Sequence, residues 1–116
     1  MTYEQLTALD ALIAAVEAGT AITADFDDYF GVSPRGVNSI GAYHGSLDAA
    51  KALHDDLLPG WVARPQIGGA AVGVTVWHCV VEDWERGTEL WADNMPCPAR
   101  AWFLAILRVI RASVTP

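Results

Sequence analysis

The sequence predicts an α+β domain in which a small antiparallel β-sheet of about three strands is sandwiched between N-terminal helices and a C-terminal helix. Apolar residues recur at helical spacing up to Leu57, alternate as in strands after Trp61, and return to helical spacing after Pro98. The chain has 116 residues, the length of one ordinary domain. We therefore expect residues 1–116 to form a single domain around one core.

Two helices are predicted before Gly31. Thr2 and Gln5 have the spacing of a capping box, and the apolar residues that follow keep helical spacing until Gly19. Residues 23–30 are predicted to form a second, shorter helix with one aromatic face. Glycine at position 31 then ends that helix.

The next segment is predicted to be a long loop followed by a third helix. Residues 31–45 contain several glycines and Pro34 with little periodicity, which indicates either a binding element or a mobile segment. Ser46 is a favourable N-cap, and Asp48 lies in the first turn, where the helix dipole favours an acid. Pro59-Gly60 ends this helix.

After Trp61 the pattern predicts a hairpin, a short strand and a last helix. Residues 61–67 and 70–84 flank Gly68-Gly69, the composition of a two-residue primed turn. On the long strand, Val72, Val74, Val76, His78 and Val80 face one way and their neighbours the other. Both faces are largely apolar, so we expect the early helices on one face and the last helix on the other. A third strand is predicted over Thr88–Trp91, and the last helix from Pro98 to about Ala112.

Charge and composition exclude several classes of protein. Fourteen acidic residues against seven basic ones give a formal charge of −7, which disfavours direct binding to nucleic-acid phosphates. The same charge suits either solubility or association with a basic protein surface. No apolar run approaches the roughly 20 residues of a membrane helix, and no secretory signal begins the sequence, so we expect a cytoplasmic protein. Cys79 and Cys97 are predicted to be buried free thiols.

The sequence predicts a non-enzymatic protein without a cofactor or a metal. A nucleophile elbow is absent, and His44, His54 and His78 lack partners at spacings that specify a catalytic triad. In an extended strand, His78 and Cys79 point to opposite faces, so their adjacency does not make a thiolate pair. The histidines and neighbouring aspartates also lack the spacing of metal-ligand motifs.

Two groups of residues are candidates for ligand binding. Arg100 and Arg108 lie, with Arg111, near one face of the last helix and could meet an anion; alternatively, they pair with acids of the sheet or of a neighbouring subunit. The second group surrounds the helix start at Ser46, where free N–H groups favour phosphate or carboxylate. It comprises Arg35, Asn38, Tyr43, His44 and Ser46. Tyr43 could stack a base there or simply pack in the core.

A different set of residues is a candidate for protein interaction. Asp25, Asp27 and Asp28 form an acidic group in the predicted second helix. Of the five tryptophans, Trp84 and Trp91 stand among charged residues and are predicted to be the exposed pair, while the others belong to the core. Exposed tryptophans of this kind would mark an interface.

The order of three segments resembles the small phage and prophage proteins of the ABA-sandwich family. The segments are Tyr43 to Trp61, a tryptophan-rich strand pair, and the last helix opened by Pro98-Ala99-Arg100-Ala101. The resemblance covers roughly residues 43–112. It implies an α/β/α sandwich encoded by a phage or prophage, and it implies no catalytic residues.

Three functions remain open at this point. The first is a non-enzymatic phage-type binding protein that counters host defence by sequestering a nucleotide-like immune signal. The second is an acidic inhibitor that covers the basic surface of a host nuclease or CRISPR effector. The third is an accessory or structural phage protein. Any of them could be a homo-oligomer, since small proteins often build a shared pocket that way.

Overall fold

The computed structural model describes residues 1–67 and 76–114. Within these residues the antiparallel strands are ordered β1–β2–β3, with helices both before and after them. The elements are α1 (Tyr3–Ala18), α2 (Thr23–Phe30), α3 (Pro34–Tyr43), α4 (Leu47–Leu57), β1 (Val62–Ile67), β2 (Trp77–Asp83), β3 (Thr88–Met95) and α5 (Pro98–Ser113). The predicted α+β class with a three-stranded antiparallel sheet is confirmed.

The predicted helix starts are confirmed by their capping contacts. At α1 the backbone N of Gln5 donates to Thr2 Oγ1 at 3.1 Å, and Thr2 N donates to Gln5 Oε1 at 2.9 Å. At α4 the Ser46 hydroxyl accepts from Ala49 N at 3.1 Å. These bonds satisfy backbone donors that a helix start leaves without partners.

The predicted loop over residues 31–45 is wrong, because Pro34–Tyr43 forms helix α3. The Ser33 hydroxyl accepts from Gly36 N at 3.2 Å, and proline occupies the first turn, where no N–H is needed. A Cβ on Gly41 would lie 3.0 Å from the Cβ of Ala49, so glycine lets α3 approach α4 closely. Packing therefore overcomes the low helix propensity of glycine.

The sheet differs from the prediction in two details. Strand β3 continues past Trp91 to Met95, across a register shift where Asn94 has a positive φ of 58°. The predicted turn Gly68-Gly69 and strand residues Val72 and Val74 lie outside the described residues. The register pairs Ile67 with Trp77, whereas a two-residue turn would pair Ile67 with the third residue after it.

The order of the layers also differs from the expected one. Helix α5 packs against the sheet, and the N-terminal helices pack mainly on one another and on the other side of α5. Phe103 of α5 is fully buried and stacks on Phe26 of α2 with ring centroids 6.0 Å apart. Because α5 is apolar on both sides, it can be the middle layer and leaves one sheet face without a described helix.

Two further findings concern whether a helix could span a membrane and how deeply the two cysteines are buried. Among the described residues, no helix combines the length and the apolar character that crossing a bilayer requires. Cys79 is buried, as predicted, but Cys97 is only half-buried because it precedes α5 at the edge of the core; both are free thiols.

Candidate functional site

The residues predicted to form an anion cradle do not all come together. Arg35 lies in the first turn of α3 and Tyr43 in its last, which separates them by about 12 Å along the helix axis. Arg35 instead makes a two-point ion pair with Asp56, with Nε–Oδ2 and Nη2–Oδ1 distances of 2.5 and 3.1 Å. Asn38 lies half-buried on α3 between them. The cradle as predicted is therefore split.

Around Tyr43 the structure brings three predicted residues together. The Arg100 guanidinium stacks over the Tyr43 ring at 4.0 Å, and Arg100 Nε donates to the Tyr43 carbonyl at 2.9 Å. His44 meets the same ring edge-on, and Tyr43 itself is buried. These contacts fasten the end of α3 to α5. Tyr43 is thus a packing residue with a cation on its face.

Ser46 and the other arginines of α5 also have partners within the chain. The Ser46 hydroxyl caps α4, as described above. Arg108 Nη1 donates to the Trp91 carbonyl at 2.6 Å, and its Nη2 lies 3.2 Å from Glu17 Oε1. Arg111 Nε donates to Asp10 Oδ1 at 2.7 Å. The arginines of α5 therefore join α5 to α1, α3 and β3.

The acidic group Asp25, Asp27 and Asp28 lies on α2, in the helical layer. Asp25 Oδ2 accepts from Ile22 N at 2.8 Å and caps the start of α2. Asp27 and Asp28 are exposed. Since α2 packs against α1 and α3, these acids do not share a surface with Trp84 and Trp91. The predicted protein-interaction residues fall on two separate surfaces.

The sheet face opposite α5 is the most distinctive surface of the molecule, and we call it the open face. Trp77, Cys79 and Val81 of β2 belong to the side that meets the core, so the alternate residues of each strand form the other side. Its members are Val62, Arg64, Gln66, His78, Val80, Glu82, Glu89, Trp91 and Asp93. No described helix makes its main contacts with it.

Glu82 is the centre of a hydrogen-bond network on the open face. Trp84 Nε1 donates to Glu82 Oε2 at 2.8 Å, and Arg64 Nη2 donates to Oε1 at 2.5 Å. The Trp84 hydrogen bond and then Arg64 lower the pKa of Glu82, against desolvation, which raises it. The network fixes the Trp84 indole beside the face although most of its surface is open to solvent.

Two tryptophans and an excess of acids are exposed here. Trp84 is 72% exposed and Trp91 39% exposed, which confirms the predicted exposed pair, whereas Trp61, Trp77 and Trp102 pack against the core. The open face and the adjoining turn carry four carboxylates and two arginines, Glu82, Glu85, Glu89, Asp93, Arg64 and Arg86, whereas Asp83 of β2 alternates to the side that faces α5. Arg64 pairs with Glu82, and Arg86 lies 3.5 Å from Asp83, so the surface keeps a net negative charge.

The two edges of the sheet are poorly suited to strand addition. Pro65 lies in the edge strand β1 and has no N–H to donate. On β3, the other edge strand, the Trp91 carbonyl already accepts from Arg108. Association through the sheet is therefore expected at the open face and not at an edge.

Sequence reasoning missed Arg64, Glu89 and Asp93. Their signal was the alternation of charge and tryptophan along Glu89, Trp91 and Asp93, which shows only if β3 is extended past Trp91. Asp93 contacts His78 across the bulge, with Oδ1 lying 3.2 Å from Nδ1. Because the register shifts between Trp77 and Cys79, strict alternation along the strands does not predict the contact between Asp93 and His78.

One cysteine and one histidine, Cys79 and His54, are buried in the interior. Burial raises the pKa of the Cys79 thiol to about 12, so it stays protonated at neutral pH. Buried His54 accepts from Trp102 Nε1 through Nδ1 at 3.0 Å, and its Nε2 lies 2.8 Å from the Trp61 carbonyl. That arrangement requires the tautomer protonated on Nε2. Within residues 1–67 and 76–114, no three His, Cys, Asp or Glu side chains are placed to hold a metal ion.

Comparisons with protein-family models, with curated proteins and with solved structures find no match for this chain. What its surfaces can bind therefore has to follow from their own residues. The open face offers the hydrogen-bonded indole of Trp84, the exposed ring of Trp91 and a surplus of carboxylates, a combination that suits cationic side chains.

Proposed function

We propose that this protein is a non-enzymatic binding protein that docks a basic protein surface on its open face. One observation supports the proposal above all: Trp84 and Trp91 are exposed amid excess carboxylates on a face that no described helix covers. Tryptophan is among the residues that contribute most to binding at interfaces. The carboxylates attract arginine and lysine and speed encounter with a positively charged partner.

Charge complementarity favours such a partner over two others. A second copy of this chain on the same face would bring two negatively charged surfaces together, which costs several kcal/mol. A nucleic acid would bring phosphates against carboxylates and could release few counterions. A surface rich in arginine and lysine has neither disadvantage.

The resemblance to phage proteins supplies a biological setting for the proposal. Host nucleases and CRISPR effectors bind nucleic-acid phosphates through basic surfaces, and an acidic phage protein in the host cytoplasm could cover such a surface. We therefore propose that the protein acts as a counter-defence inhibitor that competes with nucleic acid for a host effector.

The test is inhibition of a panel of purified host DNA nucleases and CRISPR effectors by two matched double variants. Glu89→Lys/Asp93→Lys reverses two exposed charges on the open face, and Asp27→Lys/Asp28→Lys makes the same change of charge on α2. We expect the first variant to need about a hundredfold more protein for half-inhibition, because like charges would meet at the interface. The second variant should inhibit as the unaltered protein does.

Two outcomes would contradict the proposal. Equal loss in both variants would mean that total charge, not the open face, governs inhibition. No inhibition of any effector by the unaltered protein would favour the other two functions. Of these, sequestration of a nucleotide-like signal is supported less because Arg100 and Arg108 have partners within the chain. An accessory role in the virion would show as stable assembly with phage proteins.

A further inference from the structure

A cavity in the helical layer is distinct from the open face. It has a volume of about 410 Å³, within the range of roughly 300–1,000 Å³ that small-molecule sites occupy. Its walls come from α1, α2, α3, α4 and α5, and none of its residues belongs to the open face. The lining residues are Met1, Gln5, Tyr29, Phe30, Arg35, Leu57 and Ile110.

One side of this cavity is apolar. Phe30, Leu57 and Ile110 are partly buried and pack against the core while still lining the cavity. Tyr29 meets Phe30 edge-on with ring centroids 4.8 Å apart, so the two rings form a rigid aromatic corner. A planar or branched hydrocarbon group would find a preformed apolar surface there.

The polar residues that line the cavity, which we call its rim, present hydrogen-bond donors. Burial raises the pKa of Tyr29 above its ordinary value, so its hydroxyl remains a donor at neutral pH; within the described residues, no hydrogen-bond partner engages it. Gln5 uses its carbonyl oxygen at the start of α1, which leaves its amide N–H groups for the cavity. Although the protein carries a charge of −7, none of the carboxylates in residues 1–67 and 76–114 lines this cavity.

Arg35 supplies the charged group at the rim. Its pairing with Asp56 uses one Nε and one Nη2 hydrogen, so other N–H groups of the five on a guanidinium are left to donate. The pair also balances the charge of Arg35. What Arg35 offers at the rim is therefore its remaining N–H donors and no free positive charge, which suits the one charge of a carboxylate better than the two or more charges of a nucleotide.

We propose that the cavity binds a small amphipathic carboxylate, with its aromatic or branched hydrocarbon part on Phe30, Leu57 and Ile110 and its carboxylate at Arg35 and the Tyr29 hydroxyl. The assignment is independent of the open face. It also differs from nucleotide binding, because it places one charged group on one guanidinium.

Three naphthalene probes of equal ring size test the proposal by titration into labelled protein, followed by NMR. They are 1-naphthaleneacetate, its neutral amide, and 2-(1-naphthyl)ethylammonium. We expect the carboxylate to bind with a dissociation constant of about 1 mM or below. It should bind about two- to fivefold tighter than the amide, the range expected for an exposed ionic contact. The ammonium probe should bind weakest.

Three variants distinguish the proposed contacts from general hydrophobic binding. Ile110→Trp fills the cavity and should abolish binding of all probes; Arg35→Gln should abolish the preference for the carboxylate over the amide while both still bind. Asp56→Asn should raise that preference, because it leaves Arg35 without its neutralising partner. Circular dichroism checks that each variant folds. If Ile110→Trp does not fold, Arg35→Gln and Asp56→Asn still test the proposed contacts.

The proposal is overturned by any of three results. The first is no saturable binding of the carboxylate by the folded protein at several millimolar. The second is an unchanged carboxylate preference in Arg35→Gln, and the third is equal changes of that preference in Arg35→Gln and Asp56→Asn.

Discussion

The two faces of the sheet use the same strands for different purposes. On the face toward α5, Cys79 and Val81 are fully buried. On the open face, Val80 is also fully buried and Glu82 nearly so, but on β3 Trp91 is exposed. Apolar burial on one side is sufficient to fix the sheet against α5. The aromatic and acidic residues on the other side are therefore available for binding.

Charged residues show the same contrast between the helical layer and the open face. Arg100, Arg108 and Arg111 connect α5 to the elements around it. On the open face, Arg64 neutralises Glu82, and Glu89 and Asp93 remain among the exposed acids. The helical layer also carries exposed acids, such as Asp27 and Asp28, so what distinguishes the open face is that its exposed acids lie beside exposed tryptophans.

The largest expected effect is the loss of stability when an α5 core residue is removed. Phe103→Ala should lower the free energy of unfolding by about 3–5 kcal/mol, because the ring is fully buried against Phe26. Trp84→Ala should lower it by less than about 1 kcal/mol, because most of that side chain is exposed. Urea unfolding measures both, and equal losses would contradict the contrast between the buried helical layer and the open face.

The reactivity of the Cys79 thiol tests how well α5 excludes solvent from the sheet face that it covers, which we call the inner face. With a pKa near 12 instead of 9.0, Cys79 should react with iodoacetamide about a thousandfold more slowly in the folded protein than in the unfolded chain at pH 8. Half-buried Cys97 is the internal comparison and should be alkylated first. Mass spectrometry of the modified peptides gives both rates; rapid labelling of Cys79 would show that the inner face opens.

The hydrogen bonds of His54 test the other junction of α5. His54→Leu leaves the Trp102 N–H and the Trp61 carbonyl without this buried partner. We expect a loss of about 1–3 kcal/mol in urea unfolding. Lys51→Ala on the exposed side of α4 is the control, and its surface ion pair with Asp55 should matter far less. An unchanged free energy of unfolding in His54→Leu would mean that water replaces these hydrogen bonds.

The smallest expected effect is a pH dependence that arises on the open face. Because the pKa of Glu82 is lowered in the folded state, its contribution to stability is present above the ordinary carboxyl pKa of about 4.3 and is lost as pH falls through the lowered folded value. Glu82→Gln should therefore lose less stability than the unaltered protein between pH 6 and pH 3. Trp84→Phe removes the main cause of the shift and should lie between them. If the stability of all three proteins fell equally as the pH was lowered, the hydrogen-bond network around Glu82 would be contradicted.

Much of the fold was readable because its signals are local. The capping residues at Thr2, Ser46 and Pro98 lie within a few residues of the groups they affect. Helix α3 was missed because its glycines are favourable only where other segments approach closely: α4 lies against Gly41, and the end of α2 lies against Gly36. The central position of α5 had a signal in the uninterrupted apolar run over residues 101–107, which a one-sided helix does not need.

The candidate sites were harder to predict because they depend on distant pairs. Arg111 meets Asp10 from the opposite end of the chain, and Arg35 meets Asp56 across two helices. No local pattern shows that these cations are already paired. By contrast, the exposure of Trp84 and Trp91 was predicted from the charged residues beside them.

The indole N–H signals of the five tryptophans provide the most direct test of docking on the open face. We would titrate labelled protein with an arginine-rich peptide and follow these signals by NMR, with Glu89→Lys/Asp93→Lys as the matched control. The account predicts that Trp84 and Trp91 shift, that Trp61, Trp77 and Trp102 do not, and that the control abolishes the shifts. Shifts confined to α2, or unchanged in the control, would contradict it.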